Sequence, residues 1–228
     1  MKRENHLKSI SDSTIMWDIV VVGGGATGIG IALDAASRGF KTVLLEQSDF
    51  TKATSSRSTK LVHGGVRYLA QGDVALVVDA LSERGLMLKN APHLVKDQRF
   101  IIGTYRWWEK AFYTIGLTMY DILAGRRSFG RSLPMRKKDV VREIPGISQK
   151  GLRGGVVYHD GQFDDSRMGI NLLQTAVEQG ATVANYMKVT ALTKNAQGKI
   201  SGVSVADELS GQSFELKAPQ ILKAGNWS

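Results

Sequence analysis

Trp17-Asp18-Ile19-Val20-Val21-Val22-Gly23-Gly24-Gly25-Ala26-Thr27-Gly28 sets a short β-branched apolar run directly against a glycine cluster. Such a run reads as a buried parallel strand. Glycines at 23, 25 and 28 make a G-x-G-x-x-G pattern. Gly23 allows a tight turn, Gly25 lets the backbone approach a pyrophosphate, and Gly28 lets the next helix lie close to the strand. Residues 27–38, beginning at Thr27, supply that helix, whose free N–H groups and positive dipole end favour phosphate. After Gly39, residues 41–46 read as a second strand ending in Glu46, which lies 46 − 23 = 23 residues past the first glycine. A carboxylate at that spacing takes ribose hydroxyls. Strand, turn, helix, strand and acid in register predict an α/β fold with a Rossmann-like dinucleotide-binding domain. The acid disfavours a 2′-phosphorylated cofactor and does not separate NAD from FAD.

Immediately downstream, Thr54-Ser55-Ser56-Arg57-Ser58-Thr59-Lys60-Leu61-Val62-His63-Gly64-Gly65-Val66-Arg67-Tyr68-Leu69 is too polar for a core and too rich in glycine for an ordinary helix. A guanidinium at Arg67 offers paired donors to phosphate oxygens that a lysine cannot reproduce, and Tyr68 stands beside it. A buried ion pair is the structural alternative for Arg67. His63 is the histidine within this loop, and an imidazole takes and gives protons near neutrality. It also suits holding a cofactor or shaping the loop by hydrogen bonding.

The glycine unit followed by the 54–69 stretch resembles the FAD-dependent glycerol-3-phosphate dehydrogenases and the related α-glycerophosphate oxidases. The resemblance continues in Ala91-Pro92-His93-Leu94, in Met119-Tyr120-Asp121-Ile122-Leu123-Ala124-Gly125 and in Tyr158-His159-Asp160-Gly161-Gln162-Phe163-Asp164-Asp165-Ser166-Arg167, and it runs from Trp17 to about Ala218. It implies FAD as cofactor, held through Gly23, Gly24, Gly25, Thr27, Gly28 and Glu46. Thr54, Ser55, Ser56 and Lys60 would serve its phosphates and ring, and Val189 would meet adenine through its backbone. His63, Arg67 and Tyr68 would form the catalytic and substrate-facing group. The implied reaction oxidises glycerol 3-phosphate to dihydroxyacetone phosphate, with hydride passing to the flavin and electrons to a membrane quinone. An oxygen-using oxidase is the alternative, as is a truncated, non-catalytic fragment of such an enzyme. Residues 17–70 are expected to form the FAD-binding core, 71–165 an inserted α+β layer facing substrate or membrane, and 166–228 the return to the FAD domain. The last residues, Ile221 to Ser228, match the family's usual strand and turn imperfectly. The chain therefore reads as an N-terminal portion, with the C-terminal half missing.

Composition narrows the setting. The chain of 228 residues has no cysteine, which excludes disulfides and thiolate chemistry. Its four histidines, His6, His63, His93 and His159, lack metal-ligand spacing, so no metal is expected. No apolar run of about 18 residues is present to cross a membrane as a helix. Nor does an apolar segment follow the charged start, as a secretory signal would require. The formal charge is +9, and Arg126, Arg127, Arg131, Arg136, Lys137, Lys138 and Arg142 crowd one stretch in which Asp139 reads as the single nearby acid. Just before it, Tyr105, Trp107, Trp108, Phe112 and Tyr113 alternate with Arg106 and Lys110. Rings beside cations suit a membrane–water interface, and an ordinary helix with a solvated basic loop is the other reading. No nucleic-acid motif accompanies the charge, so nucleic acid is not an expected partner. The expected location is cytoplasmic, peripheral on the inner face of the cell membrane, with an anionic surface as a partner.

Periodicity predicts a helix over 74–89 ended by Pro92, strands over 98–104 and 152–158, and a helix from an Asp164 or Asp165 cap to Gln179. His93 marks a turn, and His159 and Asp160 share a loop. Strands over 182–186 and 188–192 follow, and residues 199–207 and 213–218 form a hairpin through Ser210-Gly211.

Overall fold

Apolar residues alternate faces along β1 (Ile19–Val22) and β2 (Thr42–Leu45), and that alternation organises the first of two units. A computed structural model of the chain describes residues 2–65, 68, 73–125 and 129–225. The first unit comprises Met1–Ser58 and Asp165–Ser228, and the second Thr59–Asp164.

In the first unit, β1 pairs in parallel with β2 on one side and with β11 (Gln220–Lys223) on the other. A further strand, β7 (Thr182–Ala184), extends the sheet beyond β2, giving the order β11-β1-β2-β7. Successive side chains of a strand point to opposite faces. Val20 and Val43 accordingly enter one core, with Met187, Val203, Val205 and Leu216. Val21 and Leu44 enter the other, with Ile29, Ala32, Ala36, Leu173 and Ala176. The first core lies against an antiparallel sheet of β8 (Met187–Lys194), β9 (Ile200–Asp207) and β10 (Ser213–Lys217), ordered β10-β9-β8. The second is covered by α2 (Ala26–Ser37) and α6 (Asp165–Glu178), which pack together. The β9–β10 hairpin turns through Ser210-Gly211, where Gly211 adopts φ +74°.

The first helix, α1 (Arg3–Ser11), was not expected from the polar N-terminus. Only Leu7 and Ile10 of that helix enter the core. Its anchor is long-range: Arg3 forms an ion pair with Asp207 at 2.7 Å and donates to the Asn185 carbonyl.

The second unit is α+β. Its central strand β6 (Gly154–Phe163) pairs antiparallel along its full length with β4 (Val95–Thr104). The opposite edge receives β5 (Leu133–Arg136) and then the two-residue β3 (Leu61–Val62). Helices α3 (Val74–Asn90) and α4 (Glu109–Ala124) bury Val77, Leu81, Tyr120 and Ala124 together, and the short α5 (Lys137–Glu143) packs on β6. Two expectations are corrected here. His159 and Asp160 lie within β6 rather than in a loop, paired opposite Arg99 and Gln98. Asp139 is not the single acid of the basic stretch, because Arg142 approaches Glu143 as well as Asp139, each at 3.6 Å. Arg126 and Arg127 of that stretch lie outside the described residues.

Candidate functional site

The turn between β1 and α2 needs each of its glycines for a different reason. Gly23 adopts φ +113°, a conformation L side chains rarely take. A Cβ on Gly28 would overlap the Gly23 carbonyl oxygen, so close passage of helix over strand depends on its absence. A Cβ on Gly24 would lie 2.6 Å from the Phe50 ring and 2.8 Å from the Glu46 Cβ. A Cβ on Gly25 would meet only the Ser55 hydroxyl, at 3.1 Å. Gly25 is the N-cap of α2 and has no capping side chain of its own. Ser55 supplies the missing oxygen, accepting the Ala26 N–H at 2.8 Å from 29 residues away in sequence. That bond leaves the Ser55 O–H free to donate elsewhere.

Glu46 closes the far side of the turn. Its carboxylate accepts the Gly24 N–H at 2.6 Å and the Ser48 N–H at 2.7 Å. A carboxylate has about four acceptor positions, so both oxygens keep capacity toward a ligand. Organising the glycine turn is a second task for Glu46 that spacing alone did not indicate.

These groups meet at a cavity of about 600 Å³, within the ~300–1,000 Å³ usual for ligand clefts. Of the predicted residues, Gly23, Gly25, Thr27, Glu46, Thr54, Ser55 and Val189 line it. Gln47, Met187, Lys188, Ala224 and Gly225 also line it, and sequence reasoning did not single them out. Ala224 reaches it because β11 pairs with β1 and the Ala224 N–H binds the Val22 carbonyl at 2.8 Å. Long-range pairing of that kind leaves no local signal. A smaller cavity of about 260 Å³ adjoins through Gly25, Glu46 and Gln47 and extends along Thr51, Lys52 and Arg57. Gly24 and Gly28 are buried behind the turn, and Ser56 gives its hydroxyl to the Lys52 and Ala53 carbonyls.

Lys60, His63 and Tyr68 belong to the second unit. Lys60 sits at φ +62° and its carbonyl accepts the Phe163 N–H. His63 follows β3 and is exposed, whereas Gly64 and Gly65 are buried. Gly64 donates its N–H to the Tyr120 hydroxyl at 2.8 Å. Tyr68 is exposed, and its N–H binds the Gly65 carbonyl at 2.8 Å. Arg67 lies outside the described residues. Behind the loop, Arg84 forms a buried ion pair with Asp160 at 2.8 Å, and burial raises the Tyr120 phenol well above its ordinary range, so it stays protonated. Among the described residues, no group of three or more His, Cys, Asp or Glu is placed to hold a metal ion.

Comparison with known proteins places this geometry in context. The family described as "DAO: FAD dependent oxidoreductase" matches residues 18–228. The mitochondrial glycerol-3-phosphate dehydrogenase of Schizosaccharomyces pombe is 40% identical over 97% of this chain and 35% of its own length. The aerobic glycerol-3-phosphate dehydrogenase of Staphylococcus saprophyticus is 39% identical over 100% of this chain and 41% of its own. Among solved structures, the glycerol-3-phosphate dehydrogenase of Bacillus halodurans, complexed with FAD, superposes with a TM-score of 0.73 at 30% identity, covering 98% of this chain and 36% of that one. The chain thus spans a third to two-fifths of the length of these relatives.

Proposed function

This chain belongs to the FAD-dependent oxidoreductase family, and on that premise we propose that it serves the oxidation of glycerol 3-phosphate to dihydroxyacetone phosphate, with FAD as cofactor and a membrane quinone receiving the electrons. The observation that carries the reading is the cleft at the glycine turn, within a chain about 40% identical to proteins named glycerol-3-phosphate dehydrogenase. Its lining fits a dinucleotide. Gly25 leaves the N-terminus of α2 bare of side chain, Thr27 and the Ser55 hydroxyl stand ready for phosphate oxygens, and Glu46 offers a carboxylate for ribose. Val189, through its backbone, is the proposed adenine contact, with Gly23, Gly24 and Gly28 shaping the turn. Thr54, Ser56 and Lys60 complete the proposed phosphate and ring contacts.

When bound, FAD supplies the acceptor for the hydrogen that a secondary alcohol gives up as hydride. The chain's own residues must hold the phosphate and take the hydroxyl proton. We assign phosphate recognition to Arg67 and Tyr68, and proton acceptance to His63. The test is an anaerobic titration of the FAD-loaded protein with glycerol 3-phosphate and with glycerol, following loss of flavin absorbance. Arg67→Lys keeps the charge and loses the fork of donors, so affinity for glycerol 3-phosphate should fall by ~1.5–3 kcal/mol, roughly tenfold to over a hundredfold. Affinity for glycerol should barely move. Absence of a flavin band, or an unchanged affinity in the variant, would remove the assignment.

A quinone acceptor requires a membrane, and α4 carries an observation in its favour. Leu117, Tyr120 and Ala124 face the core of the second unit, yet Phe112, Ile115, Met119 and Ile122 are exposed along another face, Ile122 at 72%. Trp107, 80% exposed, continues this apolar surface just before the helix. A helix apolar toward both core and solvent needs a further apolar neighbour. In sequence, residues 125–143 carry Arg126, Arg127, Arg131, Arg136, Lys137, Lys138 and Arg142 against Asp139 and Glu143, a net 7 − 2 = +5 charge in the stretch that follows the helix. No described helix is long and apolar enough to cross a membrane. We therefore propose peripheral attachment at the inner face of the cell membrane. Cosedimentation with anionic vesicles should weaken as salt rises and should fall further with Phe112→Asp/Ile115→Asp. Equal binding to neutral vesicles at high salt would remove the electrostatic part, and an unaffected double variant the apolar part.

A further inference from the structure

A buried polar cluster in the second unit has no part in the chemistry assigned above. It joins Arg84 of α3, Tyr120 of α4 and Asp160 of β6, with the Arg84 and Asp160 side chains only 1% and 4% exposed. Arg84 Nη1 donates to Asp160 Oδ1 at 2.8 Å and to the Tyr120 hydroxyl at 3.3 Å. The guanidinium lies 4.7 Å from the Phe129 ring centroid and 5.6 Å from that of Tyr120. Taking two charges out of water is costly, and packed apolar residues commonly serve stability as well or better. The cluster's connections indicate what it does instead.

The Tyr120 hydroxyl accepts the Gly64 N–H at 2.8 Å. The Gly64 backbone lies directly against the cluster, since a Cβ there would overlap both the Tyr120 hydroxyl and Leu81. On the other side of His63, Val62 pairs with Gly161, the residue next to Asp160. Gly161 in turn donates its N–H to Asp160 Oδ1 at 3.2 Å. An exposed histidine is thus held between two fixed backbone points, both referred to the same stretch of β6.

We infer that Arg84, Tyr120 and Asp160 are positioning residues, which fix the backbone at Gly64 through the Tyr120 hydroxyl and so set the direction of His63. The inference rests on the proposed function for the role of His63 but not for the geometry of the clamp. Tyr120→Phe removes the hydroxyl and keeps the ring. Hydrogen exchange at the Gly64 amide should then quicken about tenfold, with FAD content unchanged. Reduction of bound FAD at saturating glycerol 3-phosphate should slow about tenfold to a hundredfold, as expected when a reacting group is misplaced by up to about 1 Å. The decisive comparison is a double-mutant cycle. In a His63→Ala background, Tyr120→Phe should slow reduction no further, whereas a merely structural residue would subtract its full effect again.

Additive losses in the cycle, or unchanged exchange at Gly64, would overturn the inference. If the FAD-loaded wild-type protein is not reduced by glycerol 3-phosphate, the functional reading fails and the exchange measurement alone decides the clamp. Should Tyr120→Phe not fold, the double variant Arg84→Met/Asp160→Leu takes its place. Faster Gly64 exchange in that variant supports the clamp, and wild-type exchange refutes it.

Discussion

Gly28→Val is expected to abolish FAD binding and to destabilise the first unit. A Cβ at this position overlaps the Gly23 carbonyl oxygen and comes within 3.0 Å of the Gly23 carbonyl carbon and 3.2 Å of the Ala224 Cβ. The obstruction is backbone, not the end of a flexible side chain, so it cannot swing aside. Relief requires α2 to lift from β1, which separates Ile29, Ala32 and Ala36 from Val21 and Leu44. Overpacking of this kind costs about 1–3 kcal/mol and more where backbone must move, a large share of the ~5–15 kcal/mol that holds a domain together. Lifting α2 also moves its N-terminal N–H groups away from the cleft. Two other glycines of the same segment act as controls. Gly30 has open space around its Cβ position, so Gly30→Ala should retain FAD and match or exceed the wild-type stability. Gly25 faces only the Ser55 hydroxyl, so Gly25→Val should fold and yet bind no FAD. Flavin absorbance per protein and thermal unfolding of the three variants measure this. Normal FAD content in Gly28→Val would show that helix and strand are not locked at Gly28.

The elements around that turn were legible because each is local. A β-branched run, a glycine spacing, an amphipathic helix and a second apolar run need no distant partner to be recognised, and β1, α2 and β2 fall within one or two residues of the limits read from sequence. The β9–β10 hairpin was legible for the same reason. Residues acting across long sequence distances were not. Ser55 caps α2 from 29 residues away, and Ala224 joins the cleft through a strand pairing about 200 residues from its partner Val22. The run from His159 to Phe163 contains Asp and Gly, residues poor in strands, and His159 and Asp160 were read as a loop beyond a strand ending at Tyr158. It is instead the end of β6, where pairing with β4 and β3 overrides propensity. Arg84 was not singled out within the predicted 74–89 helix, since periodicity assigns a face and cannot show that an acid on another element waits there. Arg67 rests on sequence alone.

That hidden pair carries the second large effect. Asp160→Leu should destabilise the second unit by about 3–5 kcal/mol, because it strands the Arg84 guanidinium where water cannot reach it. Arg84→Met alone should cost less than this if the Asp160 carboxylate, which still accepts the Gly161 N–H, is partly compensated. The double variant Arg84→Met/Asp160→Leu removes both charges and keeps most of the volume, so its stability should return to within about 1 kcal/mol of wild type. Urea unfolding of the four proteins gives the cycle, provided the slopes agree so that midpoints report stability. A double variant as unstable as Asp160→Leu would mean that the loss comes from packing around Phe129 and Tyr120 rather than from an orphaned charge. Recovery in the double variant separates what the pair does for stability from what it does for the loop. A protein as stable as wild type, with a Gly64 amide that exchanges faster, would place the worth of Arg84 and Asp160 in holding Tyr120 against Gly64 and not in holding the fold together.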